Sequence, residues 1–507
     1  MIPDDETLAR ATRRDLYDLA KRSGIPGRST LGRDGLAEAL RAHRADGDAP
    51  TAQRMAAPTS RMESFRELAQ QRAAGGMVLL PRLLTDNDRR LHVRQTVRED
   101  HSTRIMQGSE ETAAKFEKLA ASRYSFHRGT CLLFYRDLAG EDALMPTVLA
   151  LGDVHPENFG VMPSSDNVPI FGVNDFDEAY YAPFTWDIKR GATGFLVAAD
   201  EAAGLGRKRR RRIARCFVEG YVEGIRTFAR DGSEGDHQIR RDNAPKLIRK
   251  IFDAAEEERH KWLASDYHDE YGQGFRSSRK LVPVTSRREE FQDLVDRLVR
   301  EQGIEVPERA GRMRVKDVAI RKGQGTASLG LDRYYVLIEG RRADATDDLI
   351  LEFKQARRSA LAGLVPPSDF AVDGAGERIA HAQSVQLVNG DVFYGGIEFD
   401  GRSFMSRERA PYRESIDVED IGKKDWPGYA RICGRSLAHA HSLSDESGRI
   451  DHDVEPDILA AMGPVELFVD DMLRYAEEAD DRLRRDHEYF VADFELGAFR
   501  DVDRAFR

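Results

Sequence analysis

The chain has 507 residues, of which 40% are hydrophobic and 33% charged, and a formal net charge of -10; this fits a folded protein with a heavily charged surface and length for about two to four domains. No apolar run approaches the roughly 20 residues that span a bilayer, and the acidic balance argues against bulk electrostatic binding of nucleic acid while leaving a local patch open. Three widely spaced cysteines, Cys131, Cys216 and Cys433, and an N-terminus without the basic and apolar regions of a secretory signal point to a reducing, cytoplasmic setting with no membrane partner.

In chain order, residues 1–45 read first as a small helical module. Thr12 and Asp15 have the spacing of a capping box, Leu16, Leu19 and Ala20 follow as an apolar stripe, Gly24-Ile25-Pro26-Gly27 breaks the helix, and Leu36 and Leu40 mark a second one. The string from Asp15 to Ser29, with Leu36 to Leu40 after it, resembles the helix-loop-helix at the N-terminus of the transcription terminator Rho and the related SAP modules. That resemblance implies contact with nucleic acid through residues 7–44, with Arg13, Arg14, Lys21, Arg22, Arg28 and Arg33 as phosphate contacts. Acidic residues are nearly as numerous, so a protein-tethering module is the alternative. Residues 46–62, rich in Ala, Asp, Gly and Pro, read as a flexible linker.

The remaining 63–507 alternate helical and strand-like segments without an internal repeat. Thr112 to Ser122 is amphipathic, Val148 to Leu151 is a short buried strand, Ile170 to Val173 a second one, and Ile213 to Phe228 a long helix. Val336 to Glu339 and Leu349 to Phe353 read as strands, and Tyr429 to His441 and Val465 to Tyr489 as helices. His439 and His441, two apart on a helix, point to different faces and make a poor shared metal site. The basic run Arg207 to Arg212 reads as the solvated start of the long helix.

The chemistry concentrates in Leu151-Gly152-Asp153-Val154-His155-Pro156-Glu157-Asn158 and Asn174-Asp175-Phe176-Asp177-Glu178. Each motif follows a strand. An Asp in the first loop can position or deprotonate a hydroxyl, and an Asn five residues on, with an Asp from the next strand, can hold magnesium on ATP phosphates. Gly152 permits the tight turn and Pro156 stiffens the loop. The expected catalytic residues are therefore Asp153, His155 and Arg128, and the expected metal ligands Asn158, Asp175 and Asp177.

This region resembles the aminoglycoside phosphotransferase and protein-kinase-like superfamily, which implies a catalytic role for Asp153, metal binding at Asn158 and Asp175, and a loop-bracing role for Asp187 in Trp186-Asp187-Ile188-Lys189-Arg190. It is closer still to the bacterial family catalogued as domain of unknown function 2252, through Phe126-His127-Arg128-Gly129, Gly152 to Gly160, Asn174 to Glu178 and Trp186 to Arg190, over about Glu63 to Tyr489. That family carries a Lys near the position of Arg413.

A nucleotide clamp is expected downstream. Gly323, Gly325, Ser328 and Gly330 lie in a Gly-rich turn between strand-like runs, Lys354 leaves a strand as a phosphate-binding Lys would, and Glu377 on a helix is the expected partner of Lys354. In ordinary kinases these elements precede the catalytic loop. The expected fold is thus α+β, a protein-kinase-like two-lobe fold with a circular permutation, preceded by the helical module: a catalytic-loop half over 63–310, a Gly-rich-turn and Lys half over 311–425, and C-terminal helices over 426–507. The expected function is an ATP- and Mg2+-dependent phosphotransferase acting on a hydroxyl of a small-molecule or protein acceptor. The alternatives are nucleotidyl (AMP) transfer with ATP bound in the reverse sense, and a non-catalytic nucleic-acid-associated protein.

Overall fold

A computed structural model describes residues 8, 10–23, 31–48, 61–108, 110–255, 258–323, 331–365 and 374–500. Contacts divide the chain into two units, Met1–Arg61 and Met62–Arg507. In the first, the helix Arg13–Arg22 starts at the expected capping box: the Thr12 side chain accepts from the Asp15 amide, and the Asp15 side chain takes the Thr12 amide. A second helix, Arg33–Asp48, packs on it through Leu16, Ala20, Leu36 and Leu40. That helix runs three residues into the expected 46–62 linker, because Arg44-Ala45-Asp46 offers no Gly or Pro to stop it. Two of the six cations expected to face phosphates stay exposed while donating to backbone carbonyls. Arg13 Nη2 donates to Leu31 O and Arg33 Nε to Ala11 O.

The larger unit is mixed α+β with antiparallel sheets. Strands β1 (Thr147–Ala150) and β4 (Tyr180–Pro183) pair with each other, and β2 (Phe159–Pro163) lies between β3 (Pro169–Val173) and the two-residue β11 (Glu414–Ser415). Around them pack the helices Arg123–Gly129, Phe184–Glu201, Arg207–Asp231, Trp426–Ser442 and Val465–Glu495. The helix Phe184–Glu201 is buried from Phe184 to Ala199, so it reads hydrophobic or paired on every side and forms the axis of this core. Among the described residues no helix is long and apolar enough to cross a membrane.

The second sheet has six antiparallel strands in the order β5-β6-β7-β8-β10-β9, from β5 (Leu281–Pro283), β6 (Val315–Arg321), β7 (Arg333–Ile338), β8 (Leu349–Gln355), β9 (Gly395–Phe399) and β10 (Arg402–Glu408). The helix Ala375–Gln386 falls between β8 and β9 in sequence. Strand alternation sorts the side chains by face. Val336, Ile338, Leu349, Leu351 and Phe353 pack under the helix Arg288–Glu301 through Phe291, Leu294 and Leu298. On the opposite face Tyr335, Leu337 and Ile350 meet Trp262, Leu263 and Tyr267. The same parity carries Arg333, Glu352 and Lys354 onto that second face, beyond its apolar cover.

Candidate functional site

The buried strand β1 runs directly into the loop Leu151–Asn158. Gly152 turns the loop at φ +77°, and a Cβ there would overlap the Glu178 backbone carbonyl, so both conformation and space require glycine. The loop is held from behind by one face of the helix Phe184–Glu201. Asp187, 0% exposed, accepts from the Leu151 amide at 2.6 Å, from the Gly152 amide at 3.0 Å and from His441 Nε2 at 3.0 Å. A carboxylate only accepts, so His441 carries its proton on Nε2, and Nδ1 takes the Tyr221 hydroxyl at 2.8 Å. Three residues along the same face, Arg190 donates from Nε at 3.0 Å and Nη2 at 2.7 Å to Asp153 Oδ1. One helix face thus fixes the loop backbone and aims the Asp153 carboxylate.

The β2–β3 register brings the two motifs together. Phe159 pairs with Val173, and the Asn174 amide donates to Asn158 O at 3.2 Å, so residues far apart in sequence become neighbours. Asn158 Nδ2 donates to Asp153 O at 2.7 Å, which turns its amide oxygen away from that carbonyl. Asn158 and Asp175 both line a cleft of about 360 Å³. Burial, and then the neighbouring Asp177 carboxylate, hold Asp175 above the ordinary carboxylate value. Burial would raise Asp177 as well, but the Lys354 ammonium pulls it below. A carboxylate and an amide oxygen form a hard-oxygen donor set, which fits magnesium held by one or two protein ligands plus substrate phosphates. Among the described residues no three His, Cys, Asp or Glu side chains are grouped as a preformed metal cage.

Lys354 reaches this cleft from β8 and ion-pairs with Asp177. Two expectations differ here. Asp177 serves as the counter-ion of Lys354 and does not line the cleft, and the ion pair of Lys354 goes to Asp177 in place of Glu377. Glu377 lies in the expected helix, with Oε2 buried and without a hydrogen-bond partner. Gly323 follows β6 at φ +69°, while Gly325, Ser328 and Gly330 lie outside the described residues. Strands β6 and β7, which flank that Gly-rich segment, pair antiparallel.

The three residues expected to be catalytic sit one layer behind the cleft surface. Asp153, 13% exposed at its side chain, is held by Arg190 through Oδ1, and its Oδ2 lies 3.8 Å from His155 Nε2. His155 is buried and accepts the Glu157 amide on Nδ1 at 3.3 Å; burial, then Arg128 and Arg190, hold it well below the usual imidazole value. Arg128 ion-pairs with Glu157, which itself faces the cleft. His439 and His441 do diverge: His439 Nε2 meets Glu234 O at 2.8 Å, far from the Asp187 partner of His441.

Sequence reasoning missed the cations that line the sheet side of the cleft: Arg333, Arg407, Arg409 and Arg413. Arg333 lies opposite Lys354 in the β7–β8 register, and Arg407 opposite Glu352 in the β8–β10 register. Glu352, 1% exposed, pairs with Arg333 at 2.9 Å and with Arg407, and is held far below the usual carboxylate range. The available signal was alternation, Glu352-x-Lys354 on one strand and Arg407-x-Arg409 running off the end of another.

A family model described as an uncharacterized protein conserved in bacteria (DUF2252) matches residues 107–493. The match starts later than the Glu63 expected and extends slightly past Tyr489. No curated protein and no solved structure matches the chain.

Proposed function

This chain belongs to the DUF2252 family of bacterial proteins, and from its side chains we propose that it is an ATP- and Mg2+-dependent transferase that moves a phosphorus group from ATP to a hydroxyl acceptor. The observation that carries the reading is the convergence of Asn158, Asp175 and Lys354 on one cleft, with Asp153 fixed immediately behind. Magnesium, when bound at Asn158 and Asp175, would neutralise phosphate charge and orient the triphosphate. Lys354 would then exchange Asp177 for phosphate oxygens. Asp153 would orient the acceptor hydroxyl and take its proton through Oδ2, the oxygen Arg190 leaves alone. Catalysis would come from positioning and charge neutralisation.

A circularly permuted kinase-like plan is part of the proposal. It is supported by the order β6-β7-β8-β10-β9, with the Gly-rich segment between β6 and β7, Lys354 on β8 and a helix inserted before β9. It is also supported by the buried Asp187 that holds the loop amides. For the Met1–Arg61 unit, nucleic-acid contact is the reading its sequence resemblance suggests, with the exposed Arg13, Arg14, Lys21 and Arg33 among the cations that would carry it. Gel-shift with RNA and duplex DNA tests it.

Calorimetric titration of ATP with and without Mg2+ tests the central reading. Wild type binds only with the metal, Asp175→Asn loses the metal-dependent part, and Asp153→Ala binds ATP but transfers nothing. Equal ATP affinity with and without Mg2+ refutes the reading.

A further inference from the structure

Four arginines, Arg333, Arg407, Arg409 and Arg413, line the cleft together with Lys354. Arg333 and Arg407 share the Glu352 carboxylate beneath them. Arg409 and Arg413 make no ion pair with any described residue, and Arg413 Nε is buried without a hydrogen-bond partner. Burial, and then repulsion from Arg407, push the Arg413 guanidinium down to about 10. The carboxylates near this group are Glu352, Asp391 and, at the rim, Glu414, with Asp177 already paired to Lys354, so the four arginines still outnumber them. Like charges packed together on a partly buried surface are costly unless an anion joins them, and guanidinium forks fit phosphate oxygens.

The position of the arginines matters as much as their number. Met405 pairs with Lys354, so Arg407 sits on the diagonal from Lys354, about 7–8 Å away by sheet geometry. Consecutive phosphates of one chain bridge such a gap. An adenine ring needs largely apolar walls and neutral edges, but the sheet side of this cleft presents Arg333, Lys354 and Arg407. Its apolar side chains, Val161 and Met162, both belong to β2.

We propose that the cleft binds a nucleoside triphosphate with its β- and γ-phosphates among Arg407, Arg409 and Arg413 and its α-phosphate beside Asn158, Asp175 and Lys354, so that the group transferred is the nucleoside monophosphate. This rests on the ATP-dependent transferase reading and adds the polarity of the substrate. The acceptor hydroxyl oxygen forms a bond to the α-phosphorus, the bond from that phosphorus to the α–β bridging oxygen breaks, and pyrophosphate leaves with the bonding pair. The hydroxyl proton goes to Asp153 Oδ2 and then to water. The arginines stabilise the charge that grows on pyrophosphate, a role the opposite polarity gives them no means to fill.

The test uses the full chain, Mg2+, and three probes: ATP, AMP and inorganic pyrophosphate, titrated calorimetrically into wild type, Arg409→Ala and Arg413→Ala. Pyrophosphate binds wild type, and each variant weakens ATP and pyrophosphate at least about tenfold, the loss expected for one charge-assisted phosphate contact, while AMP affinity changes less than about threefold. With ATP labelled at the α or γ position and water as acceptor, the products are AMP and pyrophosphate. AMP affinity falling as far as that of ATP, or release of ADP and phosphate, overturns the polarity while leaving the transferase reading intact. Absence of Mg2+-dependent ATP binding in wild type overturns both.

Discussion

Replacing Asp187 strikes the support of the Leu151–Asn158 loop without touching the cleft. Its carboxylate is fully buried and accepts three hydrogen bonds, from the Leu151 and Gly152 amides and from His441 Nε2. Asp187→Ala strands all three donors in a water-free site. Each stranded donor costs roughly 1–3 kcal/mol, and because the two amides are adjacent and can relax together, the expected loss is about 4 kcal/mol. Asp187→Asn keeps the shape and one acceptor but loses the charge and faces one N–H with another, so about 2 kcal/mol is expected. Hydrogen exchange on peptides covering 148–160 is the decisive assay, because it reports local opening. Protection of the Leu151 and Gly152 amides should fall by about a hundredfold or more in Asp187→Ala, in line with the loss of some 3–4 kcal/mol locally. Unchanged exchange in that peptide, with a denaturation midpoint shifted by less than the equivalent of about 1 kcal/mol, would show that the loop does not depend on this carboxylate.

Gly152→Ala combines left-handed strain with overlap on the Glu178 carbonyl, and should cost about 2–4 kcal/mol in urea unfolding, whereas Gly204→Ala, at φ +59° with open space around it, should cost only about 1 kcal/mol. Arg89 bridges the buried Asp137 and Asp486, so Arg89→Leu strips Asp486 of its ion pair and leaves Asp137 with Arg482 alone, and should cost about 3–5 kcal/mol; Arg89→Lys, lacking the fork, should recover less than half of that in the thermal midpoint. Burial holds His439 down at about 4 against an ordinary 6.5. Between those values the unfolded chain binds a proton that the folded chain does not, so stability is lost as pH falls from about 6.5 to 4, by about 3 kcal/mol from this group. His439→Gln should flatten that part of the pH–stability curve measured by urea unfolding, and an unchanged slope would remove His439 as its source.

The parts of the site that were legible in the sequence are those carried by local order. Two short motifs, each at the end of a buried strand, gave Asp153, Asn158 and Asp175, because a strand followed by a tight polar loop has few ways to present its side chains. The Trp186 to Arg190 run gave the Asp187 brace through the family resemblance, and the structure adds Arg190, three residues along the same helix face, as the partner of Asp153. What was not legible depends on register between distant strands. Glu377 looked like the partner of Lys354, but the charge that reaches Lys354 is Asp177, delivered by the turn after β3. The arginine cluster was hidden for the same reason: Arg333 and Arg407 become neighbours of Lys354 only through the pairings of β7, β8 and β10. The short strands β2, β4, β9 and β10 and the helices between Met62 and Gln107 went unread, because their apolar periodicity is brief or interrupted by charges that turn out to be paired inside.

The helix Val465–Glu495 closes a core begun more than three hundred residues earlier. Phe468 stacks on Phe184, Tyr475 meets Phe134 edge-on, Phe490 packs tilted against Phe126, and Asp486 meets Arg89. During synthesis the ribosome therefore releases the Leu151–Asn158 loop and its supporting helices long before their packing partner exists. That early half must wait with aromatic surface open to chaperones and proteases, and contacts of such long sequence separation make slow folding the natural outcome. A product cut short before Val465 would keep every acid of the cleft and still lack the structure that holds them in place.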